Sequence, residues 1–255
     1  MISSLAFVHP EAILGKNVEV NAFAYIDKNV VIGDNTKIMP NAVILDGARI
    51  GNGNTIFPGA VISAIPQDLK FAGEETTVEI GENNIIRENV TINRGTVAKG
   101  KTCVGSNNLL METVHIAHDA IVGNECIIGN GTKIAGEVII DDFSIVSASV
   151  LMHQFCHIGG YGMIQGGARF SKDIPPYIIA GRDPIRYSGI NIIGLRRKGF
   201  SNEVIDAIHD SYRIIYQQGL NREEALEKIE QEIPMSDEIR YIINFIRNSK
   251  RGIIA

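Results

Sequence analysis

A chain of 255 residues with 45% hydrophobic side chains is long enough to bury a sizeable core. Its 24 Lys and Arg against 29 Asp and Glu give a net charge of −5, which removes the global basic field that nucleic-acid binding requires. Cys103, Cys126 and Cys156 are odd in number and form no CxxC, which argues against a disulfide framework and a zinc ribbon. Met1 to Leu5 is no basic leader, and no stretch approaches the roughly 18 apolar residues of a membrane span, so a soluble cytoplasmic protein with no integral membrane segment is expected.

In chain order, the first feature is a strict period of six. From Val8 through Leu14, Val20, Ile26 and Ile32 to Ile164, 24 of the 27 positions in the series are Ile, Val, Leu or Met, the exceptions being Asp68, Glu74 and Ala98. Neither a helical period of 3.6 nor simple alternation produces this pattern, and hexapeptide repeats are the signature of a parallel β-helix. Each hexad makes one flat face and three make a coil, which predicts roughly nine coils over residues 1–180. Four residues after each aliphatic position the chain is often small or β-branched, as at Ala12, Val18, Ala24, Thr36 and Ala42. Both phases point inward, and Cys126 and Cys156 fall on the second, as buried packing residues. Gly and Asn fill the turns, as in Gly33-Asp34-Asn35 and Gly123-Asn124, because such turns often demand positive φ.

The phase survives two interruptions. Residues 64–77 carry Gln67-Asp68-Leu69-Lys70, with charges where aliphatics belong, and a shorter break runs from Val97 to Thr102. A solenoid tolerates such insertions as outward loops, which commonly carry function. After Pro175-Pro176 the period turns helical. Ser201 is placed to cap a helix containing Val204, Ile205, Ile208 and Tyr212, Asn221 a second with Ala225, Leu226 and Ile229, and Ser236 a third with Ile239, Ile242 and Ile243. The expected organisation is an all-β solenoid followed by an α-helical domain, 190–255, that covers its open end.

Hexad phase also identifies side chains that are not core. His115 and His118 flank the inward Ile116, and Asp119 follows. With 18 residues per coil, His118, Gly136 and Gln154 should stack in one outward column, with Glu137 following Asp119. A base candidate, a backbone N–H and an amide in one line suit acyl transfer: one activates a hydroxyl, one donates to an oxyanion, one orients substrate. Zinc held by His115, His118 and His153 is the competing reading, but His153 sits at another phase nearly two coils along. No metal and no cofactor are expected. Arg182, Arg186, Arg196, Arg197 and Lys198 lie close in sequence, either a solvated positive loop or a docking point for an acidic partner.

His115-Ile116-Ala117-His118-Asp119, Gln67-Asp68-Leu69-Lys70, Arg94-Gly95-Thr96, Val150 to Cys156 and Gly194-Leu195-Arg196-Arg197-Lys198-Gly199-Phe200 together make the chain resemble one family over its whole length. It is similar to the acyl carrier protein–UDP-N-acetylglucosamine O-acyltransferases of lipid A biosynthesis. The resemblance implies a left-handed parallel β-helix, opposite to the usual crossover hand, assembled as a homotrimer with active sites between subunits. It implies transfer of a 3-hydroxyacyl chain from acyl carrier protein to the 3-hydroxyl of UDP-N-acetylglucosamine. His118 would be the general base, Asp119 would orient it, and Gly136 would supply the oxyanion N–H. Asp68, Lys70, His115, Gln154, Asn191 and Arg197 match positions that bind the nucleotide sugar or acyl chain, and His153, Met163 and Gly166 would belong to the acyl groove, with Gly166 at its end. Glycine there leaves the groove open for a long chain. Two positions depart from the family's pattern: Glu137 where many members carry histidine, and Ile193 where many carry glutamate. A related N-acyltransferase of the same pathway carries an added N-terminal domain, for which hexads beginning by Val8 leave no space. A non-enzymatic solenoid would need neither the outward His118-Asp119 nor the 64–77 excursion.

Overall fold

The computed structural model describes residues 1–255. Each hexad forms a two-residue strand, such as Phe7–Val8, Ile13–Leu14 and Glu19–Val20, and the chain turns a corner after each one. Every third strand joins the same sheet, which gives three sheets of nine, eight and ten strands. Pairing within the coils is parallel, and in regular coils the Cα partners are 18 residues apart, as in Val8↔Ile26 and His115↔Lys133. The inward aliphatics therefore stack on one another along the axis. Ile26, Ile38, Ile44, Ile56, Ile62, Ile92 and Ile116 are wholly buried, each worth about 1.5–3 kcal/mol relative to exposure.

Corner geometry explains the turn residues. The third residue after the inward aliphatic adopts the left-handed conformation at Asn17, Asn29, Asn35 and Asn107, with φ of 56, 50, 57 and 60°, a region asparagine tolerates better than most residues. The inward phase that carries Ala12 and Ala24 also carries three fully buried asparagines, Asn54, Asn84 and Asn108. They form a ladder along the interior. Asn54 Oδ1 accepts from both Asn84 N and Nδ2 at 2.9 Å, Asn84 Oδ1 accepts from Asn108 N at 2.9 Å, and Asn108 Oδ1 accepts from Cys126 N at 2.7 Å. Side-chain amides thus satisfy backbone N–H groups that the corner leaves unpaired. Cys126 and Cys156 are buried and free, as their phase predicts.

Both interruptions fall at the same corner, between the nine-stranded and eight-stranded sheets, in successive coils. Residues 65–76 join Val61–Ala64 to Thr77–Ile80, and residues 94–100 join Thr91–Asn93 to Lys101–Val104. The stack absorbs them by longer register: Ile50 pairs with Ile80, and Ile80 with Val104, 30 and 24 residues apart. One coil further on, the same corner carries His118 and Asp119.

The sheets end differently from the expected stop near residue 180. Ile178–Gly181 pairs in parallel with Met163–Ile164 but antiparallel with Arg186–Ile190, a hairpin that reverses the chain into the helices. These are α1 (Ile192–Arg197), α2 (Asn202–Gln217), α3 (Arg222–Glu232) and α4 (Asp237–Asn248). Ser201, Asn221 and Ser236 cap α2, α3 and α4 as predicted, Asn221 in a reciprocal capping box with Glu224. Tyr212 Oη donates to Pro176 O, and Tyr241 Oη donates to Asp141 while accepting from Gly160 N, tying the bundle to the last coils. No helix is long and apolar enough to cross a membrane.

Candidate active site

His118 and Asp119 sit on the corner after the strand His115–Ile116. His118 is 8% exposed and Asp119 wholly buried. Its corner position fixes Asp119 in the left-handed conformation, at φ 61°, and turns its carboxylate back onto the imidazole: His118 Nδ1 lies 2.8 Å from Asp119 Oδ2. Burial pushes the Asp119 carboxyl up, but the Thr96 hydroxyl, His118 and the Thr96 N–H together outweigh it and hold the carboxyl below its ordinary value. An ionised Asp119 accepts the Nδ1 proton, which leaves the Nε2 lone pair directed away from the carboxylate. The Asp68 carboxylate, from the first insertion, lies 3.8 Å from that Nε2.

One coil along, Gly136 lies against the His118 ring. A Cβ built there would fall 2.6 Å from both His118 Cε1 and Nε2, so no side chain fits while the imidazole keeps its place. The Gly136 N–H donates to no group of the chain. The stacked column is real at the backbone level: Glu137 N donates to His118 O, and Phe155 N to Gly136 O. A cavity of about 330 Å³ lies over this column, lined by His115, His118, Gly136 and Gln154 together with Gln67 and Lys133.

Lys133 was not singled out from sequence, although the 18-residue spacing that places Gly136 after His118 also places Lys133 after His115. Thr91 is a second omission. Its hydroxyl meets His115 Nδ1 at 2.8 Å, but the register across the second insertion is 24, so simple spacing does not reveal it. Burial, and secondarily the Lys133 ammonium, lower the His115 pKa, which keeps that imidazole neutral at pH 7. His153 is exposed at the next corner of the same edge and turns its Nδ1 to Gln154 O. Lys70 is exposed on the excursion, its N–H bonded to Asp68 Oδ1.

Within one chain the remaining predicted site residues do not join this cavity. Met163 belongs to the ten-stranded sheet, a different face from His115, and Gly166 is exposed at the corner that follows. A Cβ at Gly166 would meet only Ala148 O closely, at 3.2 Å. Asn191 is buried as the cap of α1, its Oδ1 accepting from Gly194 N and its Nδ2 donating to Tyr161 O, while Arg197 is exposed on that helix.

Hexapeptide coils closed by a helical domain, with a histidine–aspartate pair at a coil corner, define a hexapeptide-repeat transferase. Residues 29–64 and 104–136 match the family model described as bacterial transferase hexapeptide (six repeats), and residues 173–254 match that of UDP-N-acetylglucosamine O-acyltransferase, domain 2. The chain is 42% identical to the acyl-[acyl-carrier-protein]–UDP-N-acetylglucosamine O-acyltransferase of Pseudomonas syringae pv. syringae, over 100% of this chain and 99% of that one. The crystal structure of a UDP-N-acetylglucosamine acyltransferase from Bacteroides fragilis superposes with a TM-score of 0.99 at 74% identity over all of both chains, and one from Acinetobacter baumannii gives 0.97 at 41% identity, covering 100% and 99%. The chain belongs to the acyl-[acyl-carrier-protein]–UDP-N-acetylglucosamine O-acyltransferase family, and its solenoid is a left-handed parallel β-helix.

Proposed function

We propose that this protein transfers a 3-hydroxyacyl chain from acyl carrier protein to the 3-hydroxyl of UDP-N-acetylglucosamine, the first step of lipid A biosynthesis. The observation that carries the reading is the buried Asp119–His118 pair, its ring packed against Gly136, whose N–H donates to no group of the chain, at the wall of a cavity. In this reading His118 Nε2 takes the proton of the sugar 3-hydroxyl as its oxygen attacks the thioester carbonyl carbon. The tetrahedral oxyanion accepts a hydrogen bond from the Gly136 N–H. Collapse breaks the C–S bond, and the imidazolium returns its proton to the departing thiolate, leaving an ester and the free carrier thiol. Asp119 remains ionised throughout, holds the Nδ1–H tautomer and balances the transient imidazolium.

Asp68, Lys70, His115 and Gln154 surround the position of the sugar in this scheme. Met163, Gly166, Asn191 and Arg197 act from a neighbouring subunit, with His153 beside the acyl chain. Their distribution over different faces of one chain supports sites that lie between subunits, in this reading those of a homotrimer working in the cytoplasm. Purified protein incubated with UDP-N-acetylglucosamine and a series of 3-hydroxyacyl carrier proteins should release free carrier thiol and form the 3-O-ester. His118→Ala should lower turnover by about two to four orders of magnitude while leaving the fold intact. Absence of ester with every carrier tested, or full activity in a folded His118→Ala protein, overturns the reading.

A further inference from the structure

The residues that flank Asp119 by one hexad, Thr113 and Glu125, occupy the same left-handed corner position and are exposed, whereas Asp119 is wholly buried. The second insertion makes the difference. Thr96 Oγ1 donates to Asp119 Oδ2 at 2.6 Å, Thr96 N donates to Oδ1 and Oδ2 at 3.0 and 3.2 Å, and Lys99 N donates to Oδ1 at 3.2 Å. Apart from His118, every donor to this carboxylate comes from the loop of residues 94–100. Lys99 Nζ also reaches Asp119 O, and Asp119 N donates to Thr102 Oγ1 just beyond the loop.

The loop is built to hold that shape. Gly100 N closes it on Thr96 O at 2.7 Å, and Thr76 Oγ1 donates to Gly95 O. A Cβ at Gly95 would fall 2.3 Å from Lys101 N, so only glycine passes there. Ala98 N donates to Thr96 Oγ1 at 3.2 Å, which occupies an acceptor site of the hydroxyl and leaves its proton for Asp119. Glu74 Oε1, from the first insertion, accepts from Val97 N at 3.0 Å, so the segment carrying Asp68 is tied to the same loop. A carboxylate has two lone-pair directions per oxygen: Oδ1 takes the Thr96 and Lys99 N–H groups, and Oδ2, which the Thr96 N–H also reaches at 3.2 Å, takes the Thr96 hydroxyl and the His118 imidazole as its two shortest partners.

We propose that Thr96 is a positioning residue for proton transfer: the 94–100 loop clamps the Asp119 carboxylate so that it fixes the orientation and tautomer of His118. The inference rests on His118 being the general base. Its action is on geometry rather than on substrate binding, because Thr96 reaches the cavity only through Asp119. A side chain that holds a catalytic base within a few tenths of an ångström is expected to alter turnover, not affinity for the sugar nucleotide.

The test compares Thr96→Val, Thr96→Ala and Thr96→Ser in steady-state assays with the carrier-bound 3-hydroxyacyl donor and UDP-N-acetylglucosamine. The two variants without a hydroxyl should lose between about tenfold and a hundredfold in kcat with KM for the sugar nucleotide within about twofold, and Thr96→Ser should restore kcat to within a few-fold of wild type. Thr96→Ala added to Asp119→Ala should produce little further loss, since both act through the same imidazole. Near-wild-type kcat in either hydroxyl-less variant, a Thr96→Ser protein as impaired as Thr96→Ala, or full additivity with Asp119→Ala overturns the proposal. His118→Ala assayed alongside separates the two levels. Full activity there removes the base, whereas an inactive His118→Ala with an unimpaired Thr96→Ala removes only the clamp.

Discussion

The carboxyl of Asp119 is a buried charge kept ionised by what surrounds it, and that has a measurable cost in acid. Its folded pKa is depressed relative to an ordinary value of 3.8, so the unfolded chain binds the proton more tightly than the folded one. The stability it contributes is complete above pH of about 4 and is lost as pH falls through the depressed folded value. The gap in melting temperature between wild type and Asp119→Asn should therefore be widest near neutrality and narrow below pH of about 4. A gap independent of pH between 3 and 7 would show that Asp119 is not ionised in the fold. Gly136 illustrates the opposite kind of constraint at the same scale. It is required by the absence of room, since any Cβ collides with the base it lies beneath.

At the scale of single coils, the ladder of asparagines supplies buried backbone N–H groups with their acceptors. Asn84→Ala strands the Asn108 N–H inside the solenoid, because Asn84 Oδ1 is its acceptor and both residues are buried. The expected loss is about 1–3 kcal/mol of unfolding free energy, read from chemical denaturation as a lowered midpoint with unchanged slope. A loss below about 0.5 kcal/mol would mean that the coil relaxes to repair the bond. The sequence shows coils plainly because each aliphatic is a local, repeated signal. Ser201, Asn221 and Ser236 announce the helices for the same reason, a cap being readable from its own few residues. The ladder is less legible, since an asparagine on an inward phase reads as a flaw until its neighbours 24 and 30 residues away are seen to answer it. The site divides likewise. His118, Gly136 and Gln154 follow from arithmetic on 18, while Thr96 lies within an insertion and Thr91 meets His115 across it, and periodicity is silent there.

For the molecule as a whole, charge is arranged more finely than its net value of −5 suggests. Arg196 and Arg197 are exposed on α1, whereas Lys198 is held by Glu125 and lies over the Phe143 ring. Of the three, with Arg197 assigned to the substrate site, Arg196 is the one free to meet an acidic carrier protein. Reversing Arg196 to glutamate should raise KM for the acyl carrier protein by roughly several-fold at low salt with little change in kcat, and the effect should shrink as ionic strength rises past about 0.15 M. Kinetics indifferent to salt and to reversal would place the carrier elsewhere.

The regular register of the coils has a further consequence for how quickly such a chain can wind. Partners 18 residues apart in a chain of 255 are separated by about 0.07 of its length, a value typical of fast-folding helical bundles and far below that of sheets assembled from distant strands. Each new coil meets the same small closing entropy as the last. The insertions that carry Asp68 and Thr96 lengthen two closures, to 30 and 24 residues, which by the logarithmic growth of closure entropy adds about half a kcal/mol at the larger of them, a factor of about two in rate. A corner of the solenoid can thus be elaborated into a reaction centre while the speed at which the coils close around it is almost untouched.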